Sequence, residues 1–439
     1  MGNENIKSMR SYLYILLLFF GTTAFGQSTQ RFSTWKALEE WVLKNATVMQ
    51  LNQEQLRLAE LTEEASWVNT VNPRIPTTAS WLNNTDLPVN FIPGQVFGGP
   101  EGTFREVTFG QQYISSFTAA PQLDIVNVAK WQDIRAAKSN TKVVANEGAV
   151  NRINMLEQVN MLYCGIVQLK KQQKMLERFV GLSDSLFQIV GRKYESGLVR
   201  LQDRNDAQVN VIQQKGILRN IEHQLNYQQS LLSALAGVTV EIESTEGLEE
   251  LEIVNPAQNL TALNLATHKV DYAKMMYRSS QLEQLPVLSF QSSLAYQNNS
   301  NAQWMDPASK WIYSSFVGAK LTWDLPTNAV KATNVRAKKI NFKMAEILLE
   351  EEKRNTKVRN EQLMKDWENA KREVEEKVLM AQLEKDSYRQ AGDQYEKEII
   401  GLDKLILAQN KWLSAQLSVL NARINQQMYQ QKIRINNAN

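Results

Sequence analysis

Proline is confined to the middle of this chain: the ten prolines among 439 residues lie between Pro73 and Pro326, and residues 122–255 and 327–439 carry none. Proline removes a backbone donor and clashes with the preceding helical turn, so two such tracts permit helices too long for a compact globule. A single cysteine, Cys164, excludes an intramolecular disulfide. Within Met161-Leu162-Tyr163-Cys164-Gly165-Ile166 it reads as a small packed residue of a helix rather than a nucleophile. The only histidines, His223 and His268, have no cysteine or close histidine partner, so no zinc site is expected. Gly94, Gly98, Gly99 and Gly102 do not open a helix after a strand and are loop glycines, not a phosphate cradle. A net charge of +3 and a pI near 8.6 give no ground for a nucleic-acid partner. No cofactor and no catalytic constellation is expected.

What is present begins with a signal-like segment over residues 1–26. Lys7 and Arg10 precede the apolar run Tyr12 to Phe20, and Ala24-Phe25-Gly26 supplies the small residues of a cleavage site. That run is well short of the roughly 20 residues a membrane-spanning helix needs, and no later stretch reaches that length. The expected compartment is therefore extracytoplasmic.

The mature sequence repeats itself. Ser115-Ser116-Phe117 matches Ser314-Ser315-Phe316 at an offset of 199, Asp124 matches Asp324 and Ala137-Lys138 matches Ala337-Lys338 at 200, and Tyr194-Glu195 and Ala207-Gln208 match Tyr395-Glu396 and Ala408-Gln409 at 201. Pro73-x-Ile75 and Pro286-x-Leu288 match at 213, so the first copy has about 14 extra residues, placed in a Gly/Pro-rich loop over 88–103. The expected organisation is one repeat over 27–237, an acidic linker over 238–258 and a second repeat over 259–439. Each repeat is read as a helix, two strands and a long helical hairpin. The strands are expected at about 73–83 and 104–118, then 286–298 and 310–324, with hairpin tips at about 191–201 and 392–402.

The strand segments alternate with period two. Leu288, Phe290, Leu294 and Tyr296 stand against Ser289, Gln291, Ser293 and Gln297; Trp311, Tyr313, Val317, Leu321 and Trp323 stand against Ser314, Gly318, Lys320 and Thr322. In the first repeat Val107, Phe109, Tyr113 and Phe117 alternate with polar residues, and Trp81 closes a weaker partner strand. Half-buried strands of soluble sheets alternate in the same way. The adjoining helices, however, are too polar to cover an apolar sheet face: Trp367, Ala370, Val374, Val378, Ala381 and Tyr388 form only a narrow stripe, and Ala207, Val211, Leu218, Ile221, Leu225, Leu232 and Leu235 form a second. Lipid can cover that face, with Trp81, Phe109, Tyr113, Phe117, Leu288, Phe290, Leu294, Tyr296, Trp311, Tyr313 and Trp323 turned toward it. Hydrocarbon tolerates no open strand edge, and closed membrane barrels start at about eight strands. Four strands per chain thus require an oligomer, twelve strands in a trimer or eight in a dimer.

At this point the residues resemble the TolC-like outer-membrane efflux protein family, the outer membrane factors, over about 32–433. The resemblance rests on Leu38-Glu39-Glu40, Leu285-Pro286-x-Leu288, Val317-Gly318-Ala319-Lys320-Leu321-Thr322-Trp323, and Tyr194-x-x-Gly197-Leu198 through Asp203 to Ala207-Gln208, in that family's order. It implies a mainly α fold with membrane β: a homotrimeric twelve-strand barrel in the outer membrane of a Gram-negative cell, continued by a periplasmic helical tunnel. It further implies that Tyr194, Gly197, Leu198 and Gln202, with Tyr395 and Gly401 of the second tip, meet a periplasmic adaptor protein coupled to an inner-membrane transporter. Asp203, Asp206 and Asp403 are candidates for carboxylate rings gating the periplasmic entrance; acids at a helix start also occur there simply because negative charge is favoured. The second tip departs from the pattern, with Glu398 in place of Gly197 and with Lys404 and Leu407 where acids are usual. A passive duct for small molecules, an exit for type I protein secretion and a non-conducting coiled-coil scaffold are the readings the sequence leaves open.

Overall fold

A computed structural model describes residues 29–243, 258–324 and 329–437. The expected signal segment and the greater part of the acidic linker lie outside the described residues. The helices are α1 (Trp35–Asn45), α2 (Thr47–Val71), α3 (Val128–Glu195), α4 (Leu201–Ala236), α5 (Thr261–Leu282), α6 (Ala329–Glu396) and α7 (Leu402–Asn437). The strands are β1 (Gln30–Phe32), β2 (Thr77–Asn83), β3 (Val89–Pro93), β4 (Phe104–Thr108), β5 (Tyr113–Ala119), β6 (Gln122–Val126), β7 (Val240–Ile242), β8 (Val287–Ser300) and β9 (Trp311–Thr322). Helices α3 and α6 have 68 residues each and α4 and α7 have 36 each, recurring at an offset of 201. At about 1.5 Å per residue, each 68-residue helix is roughly 100 Å long. Among the described residues, no helix is both long and apolar enough to cross a membrane.

The chain groups into two compact units, each drawing on both halves of the sequence. Among the described residues, one comprises 29–53, 148–243, 258–261 and 355–437; the other comprises 54–147, 262–324 and 329–354. In the first, β1 and β7 pair in parallel, Gln30 opposite Val240, and bring α1 onto the helices. Thr34 caps α1, its hydroxyl accepting the Ala37 N–H at 3.3 Å. Leu38 and Val42 of α1, Val159 and Ile166 of α3, Leu232 of α4 and Ile242 of β7 are fully buried together. Burying each such side chain contributes about 1.5–3 kcal/mol. Along α6 the buried positions are only Thr356, Leu363, Ala370 and Ala381, spaced by seven, seven and eleven, the narrow seam of a coiled coil.

The second unit holds the main sheet. Strands β2, β5, β8 and β9 pair antiparallel in that order, and β6 continues the lane of β5 along the same side of β8 after Ala120-Pro121. Five strands thus occupy four lanes. The expected strand over 104–118 is two strands instead. Its first part, β4, pairs with β3 in a separate two-stranded hairpin, and Gly110 at φ +120° breaks the run before β5. The alternation of Val107 and Phe109 therefore belongs to another element. The tips fall within the expected ranges but are narrower: Gly191 and Gly392 lie inside α3 and α6, and the connections are only Ser196 to Arg200 and Lys397 to Gly401. A lone helical glycine costs about 1 kcal/mol, too little to end a helix held by its neighbours.

Candidate functional site

The register of the four lanes decides which side chains share a face. Phe117 stands opposite Ala79 on one side and Tyr296 on the other, and Tyr296 stands opposite Tyr313. Alternation then places Trp81, Tyr113, Phe117, Leu288, Phe290, Leu294, Tyr296, Trp311 and Tyr313 on one face, with Val317, Ala319 and Leu321. The other face carries Ser80, Ser116, Thr118, Ser289, Gln291, Ser293, Gln297, Ser314, Lys320 and Thr322, interrupted by Leu82, Ile114, Ile312 and Phe316. Ten of the eleven residues expected on an apolar wall are accounted for as follows: nine share the face, and Trp323 lies one residue past the end of β9, its Nε1 donating to the Gln284 carbonyl at 3.0 Å. The exception is Phe109, which follows β4 and is outside this sheet.

The apolar face is exposed rather than packed: Trp81 is 50 %, Leu294 44 % and Tyr313 61 % accessible. Toward the β8–β9 connection its aromatic rings join across all four lanes. Trp81 meets Phe117 edge-on at 5.9 Å, Phe117 stacks on Trp311 at 5.9 Å, and Trp311 stacks on Tyr296 at 5.0 Å. Each such pair contributes about 0.5–1.5 kcal/mol beyond area burial. The connection itself is clasped by Asp306. Its Oδ2 accepts the Ser300 hydroxyl at 2.6 Å and the Ser309 hydroxyl at 3.1 Å, while the Asn298 amide donates to the Asp306 and Ser309 carbonyls, both at 3.1 Å. Trp304 donates to the Leu82 carbonyl at 3.0 Å and the Met305 N–H to Ser115 Oγ at 2.8 Å, tying this loop to β2 and β5. Sequence reasoning missed this clasp, although Asp306-Pro307 followed by Ser309 is a turn signal.

Each passage from sheet to long helix carries an ion pair. Asp124 of β6 binds Lys130 at 2.7 Å, and Asp324 after β9 binds Lys331 at 2.7 Å. Asn127 caps α3, its Oδ1 accepting the Lys130 N–H at 3.2 Å. The outer edges of β2 and β9 have no pairing partner among the described residues.

The helical tips lie in the other unit and have one geometry. At the first, the Leu198 N–H donates to the Lys193 carbonyl at 2.8 Å and the Gly197 N–H to the Tyr194 carbonyl at 2.9 Å, with Gly197 at φ +71°. At the second, Ile399 donates to Gln394 at 2.9 Å and Glu398 to Tyr395 at 3.0 Å, with Glu398 at φ +60°. The departure from glycine leaves the turn intact and instead places a non-glycine residue in the left-handed region, where it stores about 1–2 kcal/mol. Beneath the tips, Val190, Ala207, Leu402 and Leu405 form a buried cluster flanked by Tyr395. Between them is a cavity of about 440 Å³ lined by Lys193, Arg200, Asp203, Tyr395, Glu398 and Gly401, among others.

The three candidate gate carboxylates are not equivalent. Asp203 lines this cavity, and its Oδ2 accepts the Arg200 N–H at 3.0 Å as the third residue of α4. Asp206 and Asp403 are exposed and do not line it. Lys193 sits 5.2 Å over the Tyr395 ring and Arg204 sits 5.5 Å over that of Tyr194. Burial, reinforced by Asp203 and Glu398, holds the Tyr395 phenol above its ordinary value. Gln202 and Leu198 are exposed. Among the described residues no cluster of three or more His, Cys, Asp or Glu side chains is arranged to hold a metal.

No protein-family model matches the sequence, and no curated protein matches it. Solved structures do. The outer membrane protein VceC from Vibrio cholerae superposes with a TM-score of 0.76 at 12 % identity, over 91 % of this chain and 94 % of that one. The chain has the outer-membrane channel fold. The Campylobacter jejuni outer membrane channel CmeC gives 0.73 at 14 % identity, over 95 % of this chain and 90 % of that one. The outer-membrane channel OprN gives 0.75 at 13 % identity, over 94 % of each chain. Coverage of this extent means that the sheet and the paired long helices described above are the elements that make up the channel fold.

Proposed function

We propose that the protein is the subunit of a homotrimeric outer-membrane duct, conducting solutes passively from the periplasm to the cell exterior. The observation that carries this reading is a four-lane sheet with one apolar, exposed face and two edges that are unpaired among the described residues. An uncovered apolar face of this breadth marks a buried partner surface or lipid. In hydrocarbon every unpaired backbone group costs several kcal/mol, so the β2 and β9 edges must pair with other copies. Three copies supply twelve lanes, and the aromatic cluster Trp81, Phe117, Tyr296 and Trp311 then forms a girdle at one membrane interface. The equal helix lengths and paired Asp–Lys clasps support an internal duplication, through which each chain gives four helical staves to a periplasmic tunnel.

In this assembly the tips around Tyr194, Gly197, Leu198, Gln202, Tyr395 and Gly401 face a periplasmic adaptor coupled to an inner-membrane transporter, which supplies the energy. Asp206 and Asp403, free of the capping role that Asp203 has, are the stronger candidates for entrance charges. Planar-bilayer recordings from purified protein test the reading. Discrete conductance steps are expected, whereas a non-conducting scaffold gives none.

A further inference from the structure

We propose that the cleft between α3, α6 and α7 rimmed by Lys171, Lys385 and Arg423 binds an amphiphilic organic anion, a phosphate or carboxylate head on a short hydrocarbon tail. The cleft has a volume of about 400 Å³, within the range of small-molecule sites. Lys385 and Lys171 lie 11 and 24 residues before the tip ends of their helices, roughly 17 and 36 Å along them, and the site does not depend on conduction through the protein. Three cations reach it from three different helices, and no carboxylate lines it. Among the described residues, none of the three forms an ion pair. Some cations elsewhere in the same unit do have a carboxylate partner, Lys215 with Asp184 at 3.4 Å and Lys432 with Glu157 at 3.4 Å. On α6, Asp386 accepts from the Gln382 amide at 3.3 Å.

The charges oppose one another. Burial first, then the neighbouring Arg423 and Lys174, hold the Lys171 ammonium below its ordinary value, so an anion here relieves repulsion as well as making new contacts. Besides the cations the lining is mixed: Gln382 and Gln416 are polar, while Met175, Val378, Val419 and the buried Ala381 and Leu420 give it an apolar part. An inorganic ion would leave that surface wet, and a neutral amphiphile would leave the cations unmatched. A head group bridging Lys171 and Arg423 with a tail along Met175 and Leu420 satisfies both. Arginine suits such a head because its planar fork can donate twice to one phosphate or carboxylate.

The test is calorimetric titration of the full-length protein in a neutral detergent with octyl phosphate, octanol and inorganic phosphate, at low and high salt. Saturable binding of one octyl phosphate per chain is expected, weakened about tenfold by Lys171→Gln with Arg423→Gln and also weakened by salt. Octanol and inorganic phosphate should each bind at least about tenfold more weakly. Lys385→Glu, at an exposed rim position, is the second variant and should lower affinity in the same direction with unchanged helix content. Equal binding by wild type and both variants would mean partition into detergent or the sheet face and would overturn the proposal. Inorganic phosphate binding as tightly as octyl phosphate would overturn it as well.

Discussion

Leu294 and Ser293 are neighbours at the middle of the 14-residue strand β8, and their side chains point to opposite faces of the sheet. Leu294 is flanked by Ala119 of β5 and Ser315 of β9 on the apolar face, whereas Ser293 stands opposite Phe316 on the other. If the apolar face meets lipid, an arginine at Leu294 lies near the bilayer midplane and costs about 2–4 kcal/mol per chain. That corresponds to roughly 30- to 900-fold in the folding equilibrium. An arginine at Ser293 faces the polar interior and should cost within about 1 kcal/mol, even though it is the same residue one position away. Reversible urea unfolding in lipid vesicles, followed by tryptophan fluorescence, measures both, with equal slopes confirming that only stability has changed. A difference below about 1 kcal/mol between Leu294→Arg and Ser293→Arg, or a larger cost at Ser293, would refute the assignment of faces.

Gly197→Ala should raise local opening of the first tip about fivefold, because a left-handed φ costs an alanine about 1 kcal/mol and the added Cβ meets no atom within 4 Å. Amide hydrogen exchange across 190–205 reads this, and unchanged exchange would show that the turn does not need glycine. Asp206→Ala should reduce cation selectivity in bilayer recordings without changing exchange at the tip. Asp203→Ala should change both, since its carboxylate also caps α4. The Cys164 thiol, which burial pushes up from 9.0 to about 12, should resist maleimide at neutral pH until the protein unfolds. The unfolded thiol ionises first, so the stability due to this group is present below 9.0 and declines as pH rises toward about 12.

The features legible in the sequence were those governed by local periodicity. Leu288 through Tyr296 and Trp311 through Leu321 alternate with few breaks, at Ser292, Ile312, Ser315 and Phe316, so the face of each residue followed once the strand was recognised. Proline-free composition likewise marked both long helices. The β3–β4 hairpin was not legible, because Val107 and Phe109 continue the alternation of Tyr113 and Phe117 in phase, and only the backbone at Gly110 separates them. The tips were drawn too wide for a related reason: Gly191 and Gly392 look like helix breakers, yet a glycine ends a helix only where the chain needs a positive φ, as at Gly197. Glu398 carries no signal of its own, and its left-handed turn was hidden behind a residue that ordinarily prefers helix. Pairing of β5 with β8, which fuses two expected hairpins into one sheet, depends on contacts about 180 residues apart in sequence, beyond any local pattern.

The central claim is that four lanes with unpaired edges on β2 and β9 cannot seal a barrel alone. Native mass spectrometry of the detergent-extracted, folded protein tests it most directly. The account predicts a complex of three chains that persists on dilution, and a stable, folded single chain would contradict it.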